Sequence, residues 1–175
     1  VAAMLQLAEV GASDCVFDLG CGDGRICLAA AETCGARATG VEIEPELVSS
    51  FRHAIEAKGL GGRVSCMEGD LLETPLSDAT VIFVYLLPDA LALIKDKLLS
   101  CLDRGARIVC NTWGIPGAEH VRTVDVEETV SSHKLSRVAV FPLAVTVITP
   151  GGGRDDAASA GSGGTGVTVT TRYVR

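Results

Sequence analysis

Asp18-Leu19-Gly20-Cys21-Gly22-Asp23-Gly24 follows the apolar run Cys15-Val16-Phe17 and leads into a helical pattern with Ile26, Leu28, Ala29 and Ala30. A strand that ends in a glycine turn and enters a helix brings bare backbone against a nucleotide-like ligand, because glycine has no Cβ to block the approach. The helix N-terminus then offers free N–H groups to a carboxylate or phosphate. Glu42 lies 24 residues beyond Asp18, where an acid can accept hydrogen bonds from both ribose hydroxyls. Further on, Glu68-Gly69-Asp70-Leu71 places the acid Asp70 just beyond a third apolar run. Leu71 and Ile43 are apolar residues next to the acids Asp70 and Glu42.

The glycine spacing separates two ligand classes. A dinucleotide fingerprint runs G-x-G-x-x-G, so Gly20 and Gly22 would require a third glycine at position 25. Position 25 is Arg, and the third glycine stands at 24.

The elements that must hold these residues follow from periodicity. A first helix carries Met4, Leu7 and Ala8 and stops at Gly11; strand one spans 15–19, helix A about 24–34, and strand two 38–42. Helix B opens with Pro45, puts Leu47, Phe51 and Ile55 on one face, and ends near Gly59. Strand three is 63–67 and strand four 80–85; a helix from Pro88 to Leu102 has Leu91, Ile94, Leu98 and Leu102 on one stripe, and strand five is 107–112. The alternation then ends, and 121–130, 138–148 and 167–174 all read as strands with no helix between them. Ligands of an open α/β sheet gather at the C-terminal tips of its strands, where Asp18, Glu42, Asp70 and Tyr85 all fall.

At 175 residues the chain is expected to form one domain. No apolar run approaches the ~20 residues of a membrane span. The chain starts at Val1 inside an apparent helix, so a preceding segment is expected. A formal charge of −7 disfavours a large nucleic-acid footprint and suits a basic partner. Seven cysteines form no C-x-x-C pair, which reads as free thiols in a reducing compartment, cytoplasm or mitochondrion. Residues 150–166 hold seven glycines in seventeen positions and read as a flexible insertion.

With its acid two residues ahead of the glycines, Asp18-x-Gly20-x-Gly22-x-Gly24 resembles the first motif of class I S-adenosylmethionine (SAM) methyltransferases. The resemblance implies a Rossmann-like α/β fold: a seven-stranded, mainly parallel sheet closing in a C-terminal antiparallel hairpin, with helices on both faces. It implies SAM as cofactor and S-adenosylhomocysteine as product, held by Asp18, Gly20, Cys21, Gly22, Glu42, Ile43, Asp70 and Leu71, with no metal. An acidic rim also suits a ligand carrying a sulfonium and an amine.

The strand-four tip, Val81-Ile82-Phe83-Val84-Tyr85-Leu86-Leu87-Pro88, lacks the Asn/Asp-Pro-Pro-aromatic motif of amino-methylating nucleic-acid enzymes. No Pro-Cys pair exists, as a cytosine C5 enzyme would need, and Asp89 stands without the companion acids of a catechol-type metal site. The run 78–109 resembles two related groups, the mitochondrial lysine methyltransferases of the ATP synthase c-subunit and the ADP/ATP carrier with their bacterial relatives, and the non-SET nucleosomal histone lysine methyltransferases, and it is closer to the first. That similarity implies a protein lysine as acceptor, with no nucleic acid, and Tyr85 as the catalytic candidate beside the amine. Relatives commonly carry an upstream segment that closes over SAM. Trp113 reads as a core or rim residue, and His53, His120 and His133 show no visible partner for base chemistry. A small-molecule methyltransferase and a non-catalytic SAM-fold binding module remain as alternatives, and no oligomeric state is implied. Glu42→Ala is expected to weaken SAM binding while leaving the stability of the ligand-free protein almost unchanged.

Overall fold

Short apolar runs alternating with amphipathic stretches build a sheet covered by helices. The computed structural model describes residues 1–111, 115, 121–126, 143–148 and 169–173. In chain order these are α1 (Ala2–Leu7), β1 (Cys15–Leu19), α2 (Arg25–Cys34), β2 (Arg37–Glu42), α3 (Pro45–Ala57), β3 (Val64–Glu68), β4 (Val81–Val84), α4 (Pro88–Asp103), β5 (Arg107–Asn111), β6 (Val121–Val126), β7 (Leu143–Ile148) and β8 (Val169–Tyr173). The strand order is β3-β2-β1-β4-β5-β7-β6-β8. The first five strands pair in parallel, and β5–β7, β7–β6 and β6–β8 pair antiparallel.

This is the expected α/β architecture with one correction. The described strands number eight, as many as the strand segments read along the sequence, rather than the seven that the resemblance implies. The closing segment is therefore three antiparallel strands instead of a hairpin, because β8 pairs along the edge that β6 would otherwise leave open. The other parts of the expected strands, including 127–130 and 138–142, lie outside the described residues, as do the glycine-rich 150–166, Trp113, His120 and His133.

Side-chain alternation divides the core. Val16, Val81, Phe83 and Val109 face α1, α2 and α3. Phe17, Leu19, Ile82, Val84, Ile108 and Cys110 face the α4 stripe of Leu91, Ile94, Leu98 and Leu102. Each such fully buried side chain contributes about 1.5–3 kcal/mol. On α3 the buried set is Val48, Phe51 and Ile55; Leu47, expected on that face, is 38% exposed. One residue is a 100° step around a helix, so Val48 takes the inward place and Leu47 turns to the rim.

Polar bonds fasten the end of the sheet opposite the strand tips. Asp14 accepts from the Gly11 N–H at 2.8 Å, from the Thr80 hydroxyl at 2.7 Å and from the Arg107 guanidinium. Burial alone would raise the Asp14 carboxyl; these donors outweigh it and hold the group below its ordinary value. Arg107 also donates to the carbonyls of Ala8 (2.5 Å) and Glu9 (3.1 Å), which ties the end of α1 to β5. With its C-terminal end held there, α1 reaches the strand tips, where Val1, Ala3 and Met4 line a cavity.

Candidate functional site

The strand order reverses between β1 and β4, the place where an open α/β sheet forms its ligand crevice. A cavity of about 530 Å³ opens there. Of the residues singled out in the sequence, Asp18, Gly20, Cys21, Gly22 and Tyr85 line it.

The loop after β1 owes its shape to two anchors. The N–H groups of Gly20 and Cys21 both donate to the Val41 carbonyl, at 2.9 and 3.0 Å, and the Gly24 N–H donates to the Cys21 carbonyl at 3.0 Å. The glycines then play different parts. A Cβ on Gly22 (φ +57°) would meet nothing within 4 Å, so bare backbone faces open space where a ligand can approach. A Cβ on Gly24 (φ +76°) would lie 2.0 Å from the Phe51 ring. Gly24 is thus a packing glycine, and Gly40 serves the same ring from β2, with an added Cβ 2.6 Å from Phe51.

Asp18 is 3% exposed. No donor among the described residues reaches its carboxylate; burial, then the nearby charges of Glu42 and Asp23, push its pKa up to about 7. Beside it the buried Cys21 thiol is pushed well above its ordinary range by burial and by Asp18, so it stays a neutral, weak nucleophile. Arg25, which occupies the dinucleotide glycine position, pairs with Asp23 at 2.8 Å on the cavity rim.

Glu42 is one hydrogen bond away from the cavity. Its carboxylate accepts from the N–H groups of Gly22 (2.8 Å), Ile43 (2.9 Å) and Glu44 (3.0 Å). It therefore splints the glycine loop to the turn after β2. The expectation that Glu42→Ala would hardly touch the ligand-free protein is corrected by this geometry, since the substitution strands three backbone donors.

Ile43, Asp70 and Leu71 do not line the cavity; they stand next to Glu42 at the tips of β2 and β3, where the Gly69 N–H donates to the Glu42 carbonyl at 3.0 Å. Ile43 is 66% exposed. Asp70 is exposed and accepts from the Leu72 N–H at 2.8 Å. Leu71 packs partly against the α4 side of the core. Lys97 of α4 donates to the carbonyls of Leu71 (3.0 Å), Leu72 and Thr74 (2.9 Å) and so pins this loop, a role sequence reasoning missed.

A second missed residue is Asn111, which ends β5 and lines the cavity; its Oδ1 is buried with no hydrogen-bond partner among the described residues. The available signal was a polar residue closing the apolar run Ile108-Val109-Cys110 at the level of the other tips. His53 is exposed on α3. Among the described residues, no group of three His, Cys, Asp or Glu is placed to hold a metal ion. No helix among them is long and apolar enough to cross a membrane.

A mainly parallel sheet with a glycine loop at its switch point, a cavity there and a buried carboxyl that no donor among the described residues reaches fit the Rossmann-like fold of SAM-dependent methyltransferases. More narrowly, residues 18–122 match the model of the ANTKMT methyltransferase domain, and the chain belongs to that family. It is 37% identical over 134 residues to a protein-lysine N-methyltransferase of Saccharolobus islandicus, covering 76% of this chain and 83% of that one. It is 42% identical over 111 residues to the adenine nucleotide translocase lysine N-methyltransferase of Mus musculus, covering 62% of this chain and 48% of the relative. Among solved structures it resembles an RNA methyltransferase from Salinibacter ruber in complex with S-adenosylhomocysteine. That similarity has a TM-score of 0.73 and 33% identity, with 90% of this chain and 95% of the other covered.

Proposed function

We propose that this methyltransferase acts on a lysine side chain of a protein, with the acceptor entering beside Tyr85. The observation that carries the reading is the tip of β4: Tyr85, 61% exposed, stands on the cavity wall next to the glycine loop. The archaeal and mouse relatives, both named as lysine methyltransferases, support it.

The residues present fit SAM. Asp18 is a buried carboxyl that no donor among the described residues reaches, Gly22 leaves room for close approach, and the cavity volume lies in the range of small-molecule sites. Bound SAM supplies a methyl group on a positively charged sulfonium. Asp18 would accept the N–H bonds of the methionine ammonium, while Gly20, Cys21 and Gly22 carry the backbone around that end. A carboxylate has about four lone-pair sites, and Glu42 already uses three on backbone. Glu42 therefore has capacity for one ribose hydroxyl rather than both. Asp70, Leu71 and Ile43 would frame adenine at the neighbouring tips.

Methyl transfer is an in-line displacement, so orientation and exclusion of water provide most of the rate. The acceptor lysine must be neutral to attack, and an apolar passage past Tyr85 and Met4 would lower its pKa. The Tyr85 ring can also stabilise positive charge beside its face. The reading includes no resident metal. The seven cysteines, all free thiols, suit a reducing compartment, cytoplasm or mitochondrion.

An RNA acceptor is the second reading, favoured by the name of the Salinibacter ruber relative. The net charge of −7 and the missing Asn/Asp-Pro-Pro-aromatic run at 81–88 weigh against it. Incubating the protein with radiolabelled SAM and a cell extract, then separating protein from nucleic acid, decides between them. Methyl-lysine in tryptic peptides by mass spectrometry is the expected result, and label confined to RNA or metabolites overturns the lysine reading.

A further inference from the structure

We propose that Asn111 is the residue that holds the acceptor amine, its Oδ1 taking an N–H bond that points the nitrogen lone pair at the methyl group. The inference rests on the lysine reading and names the contact that would enforce it.

The register places Asn111 for this task. Asp18 pairs with Phe83 and Phe83 with Val109, so these three form one row across β1, β4 and β5. Two residues further along each strand come Gly20, Tyr85 and Asn111, with Tyr85 in the middle. Alternation puts Tyr85 and Asn111 on the face of Phe83 and Val109, the side covered by α1 to α3. With strands about 4.8 Å apart, Asn111 lies beside Tyr85 and two strand spacings across the sheet from β1, two residues further along than Asp18.

The cavity wall thus carries two acceptors with no partner among the described residues, one a carboxyl, to which no donor there bonds, and one a neutral amide. The reaction brings two nitrogen groups, and their chemistry assigns them. The methionine ammonium keeps its charge throughout and suits the carboxyl. The attacking lysine must lose its proton first, and a carboxylate beside it would hold that proton. An amide oxygen accepts an N–H from the neutral amine without favouring the ammonium form, and its two lone pairs are unused. A buried acceptor left unsatisfied in the free protein also rejects acceptors that bring no donor.

The test compares wild type with Asn111→Ala and Asn111→Asp, using radiolabelled SAM and a protein extract as acceptor, with SAM affinity followed by calorimetry. Asn111→Ala is expected to cut labelling of protein at saturating SAM by about 30-fold or more, with SAM affinity within about threefold of wild type. Its melting temperature should stay level or rise by roughly 2–4 °C, because an unsatisfied buried group is removed. Asn111→Asp should move the pH–rate profile upward by about one unit, since the new carboxylate favours the protonated amine. Wild-type label in protein with Asn111→Ala as active as wild type overturns the inference and leaves the lysine reading standing. A loss of SAM affinity as large as the loss of turnover assigns Asn111 to the cofactor and overturns it too. Wild-type label in RNA alone overturns both.

Discussion

Asp18→Asn separates the two properties that its burial ties together. The carboxyl is raised from its ordinary 3.8 to about 7, by burial first and then by Glu42 and Asp23. Below pH 3.8 both folded and unfolded chains carry the proton, and the group has no effect on stability. Between 3.8 and 7 the unfolded chain ionises while the folded one stays protonated, so stability falls as pH rises, and above 7 the loss is complete. Three pKa units correspond to ~4 kcal/mol. Asparagine never ionises but buries an amide in the same place, so the net gain at pH 8 should be about 1–3 kcal/mol, a Tm rise of several degrees. At pH 4 the gain should vanish.

SAM binding should run the other way. Pairing with the methionine ammonium requires ionised Asp18, so wild-type affinity should rise about fivefold from pH 6 to pH 7, below the range where an α-amino group loses its own proton. Binding at pH 6 should release close to one proton, read from calorimetry in buffers of different ionisation enthalpy. Asp18→Asn should bind about 10-fold to 150-fold more weakly at pH 7, with the slope and the proton release gone. Two results would refute the reasoning: a variant less stable than wild type at pH 8, or wild-type affinity that is flat from pH 6 to 7.

The glycine loop offers a paired test. Gly24→Ala meets Phe51 at 2.0 Å and should cost at least ~3 kcal/mol in denaturant unfolding, whereas Gly22→Ala has free space and should cost only ~1–2 kcal/mol of backbone strain while losing SAM. Equal stabilities would contradict these separate roles. Glu42→Ala should lower the stability of the ligand-free protein by about 1–3 kcal/mol, as stranded backbone donors predict; an unchanged melting curve would mean that water replaces the carboxylate at no cost. Tyr85→Ala should reduce turnover by about 30-fold or more at saturating SAM with SAM affinity within about threefold, and full turnover in this variant would move the acceptor site elsewhere.

The amino-acid sequence by itself determined the element order, the SAM-binding class and the residues at the first two strand tips. Those features are local: a glycine turn needs its glycines in place, and amphipathic periods of 2 and 3.6 residues mark strands and helices before any packing exists. The cavity is not local. Asn111 joins Asp18 only because β4 lies between β1 and β5, and a polar residue ending an apolar strand carries no sign of which cavity it will face. Nor does the sequence reveal that Gly24 serves Phe51 rather than a ligand, that Lys97 pins the loop after β3, or that Glu42 spends three of its lone pairs on backbone. The pairing of the last strand along β6 belongs with these, since a free sheet edge exists only once the other strands have paired. The tertiary structure decided these points because each depends on a contact between residues far apart in sequence, where space, burial and unpaired hydrogen-bonding groups first become defined.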